Sequence, residues 1–215
     1  MFQTQAEAEF LASILREQPY IRNLTISDKE CIPAPDVTNY INLDLFRELP
    51  EPYGLSEIRN WVYRLSSLKP DSFARPVLTV PPSDIPVMDK IAINFTNRYK
   101  PIIDPKVLKK YASKLVYIGM PREYDRFKTL YFKCEYHKTN SLKELLQYTS
   151  KCHGWISNVC GTFAAHEAAA IPRVLCLPGG AHGDVRTYTP NGISVVDNRK
   201  LIKAVESLLS RDPLA

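Results

Sequence analysis

"WISNVCGTFAAHEAAAIPRVLCLPGG", residues Trp155 to Gly180, holds two apolar runs separated by a segment of small residues. The runs, "WISNV" and "RVLCL", are continuous rather than alternating, as strands buried on both faces are. Between them "TFAAHEAAAI" is rich in alanine, the best helix former, and Pro172 stops it. Strand, turn, helix, strand is the repeating unit of a parallel sheet. The small polar residues Ser157, Asn158, Cys160, Gly161 and Thr162 fall at its strand-to-helix turn.

The same grammar extends in both directions. Upstream, "KIAINFT", "KLVYIGM" and "YFKCEY" read as strands, separated by helical "PKVLKKYAS" and "PREYDRF". "SLKELLQYTSKC" follows as a helix whose Ser141 and Glu144 have capping-box spacing. Downstream come a strand, "GISVVD", and a closing helix, "RKLIKAVESLLS". Repeated alternation of this kind predicts an α/β domain over residues 86–215: a Rossmann-like, doubly wound parallel sheet with helices on both faces.

The prolines are crowded between residues 70 and 105, as in "LKPDSFARPVLTVPPSDIPV". Each removes a backbone donor and fixes φ, so this stretch reads as an extended connector. Residues 1–85, connector included, form a smaller, mainly helical and irregular amino-terminal part. "AEAEFLASILREQPYI" is a helix ended by Pro19, and "SEIRNWVYRLSSL" a second with Ser56 as its cap. Short strands are expected around Ile21–Ile26 and Tyr40–Leu43.

Over 215 residues the net charge is +5 and the basic residues are scattered. That balance suits an anionic small molecule, or only a solvated surface, and gives a nucleic-acid partner little support. The five cysteines form no CxxC pair, and no apolar run reaches membrane-spanning length. A reduced, cytoplasmic, soluble protein is the expectation. The four histidines show no HxH or HExxH spacing, so no metal site is expected, and His166 is read as structural. A GxGxxG fingerprint and a Walker A motif are both missing.

Ligands of such sheets bind beyond the carboxyl ends of the strands. At the turn before the alanine helix, free N–H groups and the positive helix end attract anions, and Gly161 permits close approach. Alanine packing accounts for the helix but not for the polar cluster that precedes it. Thr96, Arg98 and Lys100 follow the first strand and offer a hydroxyl and two cations to phosphates; a solvated basic loop is the alternative.

On these residues the chain resembles the nucleotide-sugar-binding domain of GT-B glycosyltransferases of the heptosyltransferase-like group (glycosyltransferase family 9 and relatives). That group carries a G-N-Q-S-S turn before a small-residue helix closed by proline. Here Ser157 stands for the glycine, Asn158 for the asparagine, Cys160 and Gly161 for the serines, and Pro172 closes the segment. "INFTNRYK" resembles the family's first strand and basic loop. "VYIGMPREYDRF" resembles its F-x-G-x-x-x-E strand, with Gly119 and Glu123 in register. "LREQPYI" and "LDLFRELP" are similar to the group's amino-terminal region.

The resemblance implies a nucleotide-diphosphate sugar as donor substrate, no separate cofactor, and metal-independent transfer to an unknown acceptor. Thr96, Arg98, Lys100, Asn158, Cys160, Gly161 and Thr162 would hold the donor's phosphates, and Gly119 or Glu123 would face its nucleoside. The heptosyltransferases' D-[ST]-G-x-x-H motif has Val159 and Ala164 at its Asp and His positions, so no catalytic base is named. The shortened amino-terminal part leaves an alternative, a non-catalytic sugar-nucleotide-binding module or fragment of a longer GT-B enzyme. A partner domain or a second copy would then complete it.

Overall fold

The computed structural model describes residues 5–26, 76–97, 99–178, 187 and 189–212. Six strands among them form one parallel sheet: β1 (Ile91–Asn94), β2 (Leu115–Ile118), β3 (Glu135–His137), β4 (Gly154–Asn158), β5 (Arg173–Cys176) and β6 (Gly192–Val195). Their spatial order is β3-β2-β1-β4-β5-β6, so the direction of winding reverses between β1 and β4. Ile91 pairs with Leu115 on one side and with Gly154 on the other. This is the doubly wound Rossmann-like sheet expected from the alternating runs.

Every residue of β1, β2, β4 and β5 is buried, which explains why these strands are continuous apolar runs. One face presents Ile91, Ile93, Tyr117, Ile156 and Val174 to a 3-10 helix (Pro105–Lys114), to α2 (Pro121–Leu130) and to α5 (Asn198–Leu209). The other presents Ala92, Val116 and Trp155 to α3 (Leu142–Thr149) and α4 (Gly161–Ala168). α1 (Gln5–Leu15) packs on α3 and sends Ile14 into that same cluster.

Local chemistry sets the element ends. Ser141 Oγ accepts from the Glu144 N–H at 3.1 Å and starts α3, and Asp197 caps α5 through the Lys200 N–H at 2.8 Å. Pro121 occupies the first turn of α2, while the Glu123 carboxylate accepts from the Met120 N–H at 3.2 Å. α4 ends where Ala170 takes a left-handed φ of 51° ahead of Pro172.

The connector is extended over its described part, and it is not free. Leu78, Val80, Ile85 and Met88 lie against the α3–α4 face. Buried Gln18 holds it by donating to Thr79 O at 3.1 Å and accepting from Thr79 N at 2.8 Å. Gln147 donates to Pro81 O and Pro82 O, whose own nitrogens cannot donate.

Three expectations change in detail. Ile21–Ile26 forms no strand: the Ile21 N–H bonds to Gln18 O in the turn after α1, and the segment has no ladder partner. "PKVLKKYAS" winds as a 3-10 helix rather than an α-helix. The third strand begins at Glu135 instead of Tyr131, because Phe132 and Cys134 enter the core from the loop after α2. The expected strand at Tyr40–Leu43 and the helix at 56–68 lie outside the described residues.

Candidate functional site

Because all six strands are parallel, the turns after Asn94, Ile118, Asn158 and Cys176 share one edge of the sheet. The winding reverses there between β1 and β4, which parts the flanking helices and leaves room above the strands. Three expected groups converge on this point: Thr96, the Gly119–Glu123 turn, and the Cys160–Thr162 turn.

Asn158 orders this edge. Its side chain is fully buried, Oδ1 accepts from Thr96 N–H at 2.9 Å, and Nδ2 donates to Thr96 O at 2.8 Å and Tyr99 O at 2.5 Å. Both Nδ2 hydrogens are taken by the loop, so the side chain has no donor left for a phosphate; its work is to shape the loop after β1. Replacing Asn158 by alanine should cost about 1–3 kcal/mol, because the Thr96 N–H stays buried without its acceptor. Urea unfolding of the variant measures the loss, and an effect within 0.3 kcal/mol would contradict the assignment.

Gly119 is likewise used by the protein itself. A Cβ there would lie 2.5 Å from Asn94 Nδ2 and 2.9 Å from Glu123 Oε2, so the absent side chain is what lets Asn94 reach β2. Asn94 is 3% exposed and donates to Ile118 O at 2.9 Å, yet its Oδ1 has no hydrogen-bond partner. The buried Thr96 Oγ1 has none either. Buried polar atoms are almost always bonded, so these two, without a partner among the described residues, are exceptions at the carboxyl end of β1.

Gly161, the first residue of α4, differs from Gly119. It is exposed, and a Cβ built on it meets nothing within 4 Å. The N–H groups of a first helical turn have no intrahelical acceptor, and the helix dipole adds partial positive charge. Beside it Cys160 Sγ lies 3.1 Å from Thr162 Oγ1. Burial pushes the Cys160 thiol up, more than its hydrogen bonds to Thr162, Phe163 and Ser157 pull it down, so it stays neutral.

A cleft of about 310 Å³ opens between the loop after β1 and α2. Thr96, Asn97 and Lys100 form one wall; Glu123, Arg126 and Phe127 form the other, with Leu130 and Tyr131 at its far end. Of the residues picked from the sequence, Thr96, Lys100 and Glu123 line this cleft. Gly119, Asn158, Cys160, Gly161 and Thr162 sit at the same sheet edge outside its lining, and Arg98 lies outside the described residues. Burial raises the Tyr117 hydroxyl, and the Glu123 carboxylate raises it further.

Sequence analysis missed Asn94 and Arg126. Asn94 had a signal, a lone amide at the close of "IAIN". Arg126 had a weaker one: it follows Glu123 by three residues, one turn along the same helix face.

His166 serves the core. Its ring stacks on Trp155 at 4.2 Å and 10°, Nδ1–H donates to Thr162 O at 2.7 Å, and the Thr149 hydroxyl donates to Nε2 at 2.8 Å. Burial lowers its pKa from 6.5 to about 3. The folded protein therefore keeps His166 neutral where the unfolded chain takes up a proton. Its contribution to stability is complete above pH 6.5 and is lost as pH falls toward 3, by about 1.4 kcal/mol per pH unit. Urea unfolding between pH 4 and 7 should show that slope as the difference between wild type and His166→Gln; parallel curves would contradict it.

Among the described residues no three His, Cys, Asp or Glu side chains gather to hold a metal ion, and no helix is long and apolar enough to cross a membrane.

Comparison with protein-family models gives no match. Comparison with curated proteins gives none either. Among solved structures, the crystal structure of the glycosyl transferase family 9 from Veillonella parvula DSM 2008 is similar to 57% of this chain and 46% of that one. The identity is 15% and the TM-score 0.41. The similar region is thus less than half the length of that protein.

Proposed function

We propose that the protein binds a nucleoside diphosphate sugar at the carboxyl edge of its sheet and acts as a glycosyltransferase. The observation that carries this reading is the cleft at the carboxyl edge of the sheet, where Thr96 and Lys100 of the loop after β1 face Glu123 and Arg126 of α2. The resemblance of the "SNVCGTFAAHEAAAIP" turn to donor-binding turns supports it independently.

In this reading the diphosphate lies against the first turn of α4, within reach of Lys100. Backbone N–H groups and a cation would stabilise the charge that develops on the leaving diphosphate, which needs no metal ion. Glu123 would accept hydrogen bonds from nucleoside hydroxyls. Cys160 is held neutral and buried His166 is fully bonded, so neither is the base that deprotonates an acceptor.

A second reading is a donor-binding module that works with another domain. The observation favouring it is that α1 buries Ile14 in the core of this sheet, so this amino-terminal helix is spent on the same domain.

Calorimetric titration with UDP, ADP, GDP and CDP and their hexose conjugates, with and without EDTA, tests the reading. One nucleotide family should bind in the presence of EDTA, and at a hundred times its Kd should stabilise the fold by about 2.7 kcal/mol. Failure of every nucleotide to bind would end it. Release of free nucleoside diphosphate from the sugar conjugate would separate a transferase from a module.

A further inference from the structure

We infer that Arg126 and Lys100 form a cation clamp, one from each wall of the cleft, that grips a phosphoryl group of the bound molecule. The inference rests on the donor-binding reading and adds to it a residue outside the turn and the basic loop. Glu123, Arg126, Phe127 and Leu130 follow the i, i+3, i+4, i+7 spacing of one helix face, and all four line the cleft. The face carries one acid near the start of α2 and one base a turn later.

Of the three cations on α2, Arg122, Arg126 and Lys128, Arg126 is the one that lines the cleft. The neighbouring cation, Lys128, is neutralised by Asp125 at 2.7 Å. Arg126 makes no ion pair among the described residues, and neither does Lys100 across the cleft. Thr96, next to the strand end, lines the same cleft. An ammonium and a guanidinium lining one cleft from two sides form a donor set for an oxyanion. The planar guanidinium binds two oxygens of one phosphoryl group, which an ammonium cannot do. Glu123, one helical turn before Arg126 on the same face, fixes direction: hydroxyls of the ligand face the carboxylate, and its charged group faces Arg126.

The test measures binding of nucleoside diphosphates and of inorganic pyrophosphate to wild type, Arg126→Ala, Arg126→Lys and Lys203→Ala, the last on α5 away from the cleft. Arg126→Ala should weaken binding at least tenfold, Arg126→Lys should recover only part, and Lys203→Ala should match wild type. If wild type binds nucleoside diphosphate and Arg126→Ala binds it equally well, the clamp is wrong while the donor reading survives. If pyrophosphate binds in an Arg126-dependent way and no nucleotide does, the clamp stands and the donor reading falls. Binding of neither removes both, and an equal loss in Lys203→Ala reduces the effect to net charge and overturns the clamp.

Discussion

Arg173→Met is expected to destabilise the protein by about 3–5 kcal/mol, the usual cost of removing one member of a buried ion pair. The Arg173 side chain is fully buried at the amino end of β5. Its Nε donates to Glu167 Oε2 at 2.6 Å, Nη1 to Ile171 O at 3.0 Å and Pro190 O at 3.1 Å, and Nη2 to the Thr189 carbonyl and hydroxyl at 3.0 and 2.5 Å. All five guanidinium N–H bonds are used. Burial pulls the Arg173 pKa down, and the Glu167 carboxylate offsets part of that. Methionine keeps the apolar volume but removes the cation, leaving the largely buried Glu167 carboxylate without its counter-charge. The double variant Arg173→Met, Glu167→Leu should recover part of the loss, because no charge then remains to be solvated. Urea unfolding supplies the comparison; a loss below 1 kcal/mol in the single variant would show that the network is not a stability element.

Gly161→Val should abolish nucleotide binding, a loss beyond hundredfold or about 2.7 kcal/mol, without unfolding the protein. The two halves of this expectation have separate causes. The fold tolerates valine because Gly161 has no left-handed φ and a Cβ there meets no protein atom within 4 Å. Binding does not tolerate it, because the branched side chain would occupy the space from which a diphosphate reaches the first-turn N–H groups. Gly161→Ala should fall between, since one methyl blocks less of the approach. Calorimetry for affinity, with circular dichroism for the fold, decides the matter. Wild-type affinity in a folded Gly161→Val protein would move the phosphates away from this turn.

The sheet was legible in the sequence because burial on both faces makes each strand a continuous apolar run, and a run is visible locally. "KIAINFT" and "GWISNV" needed no tertiary information to be read. The carboxyl-edge turns followed from the same argument, since parallel strands put all such turns on one side. What could not be read depends on partners distant in the chain. Arg173 looks like an ordinary flank of "RVLCL", and its burial rests on Thr189 and Pro190, sixteen and seventeen residues away. Asn158 had the residue type of a ligand contact, yet the loop beginning sixty-two residues upstream takes up its amide. Gly119 was picked for its register with Glu123 in a strand resembling F-x-G-x-x-x-E, and the space beside it is taken by Asn94 and Glu123. The connector's prolines correctly gave an extended chain, but only Gln18 and Gln147 reveal that it is bonded to α1 and α3.

In the proposed complex a nucleoside diphosphate lies along the carboxyl edge of the sheet, from the cleft between the loop after β1 and α2 to the start of α4. Amide chemical shifts of ¹⁵N-labelled protein, followed during titration with the nucleoside diphosphate that binds tightest, test it directly. The largest shifts are expected at Thr96, Lys100, Gly161 and Thr162, with little change at Thr189 and Gly192 on the opposite edge of the sheet. Shifts concentrated at that opposite edge, or none at Gly161 and Thr162 at saturation, would contradict it.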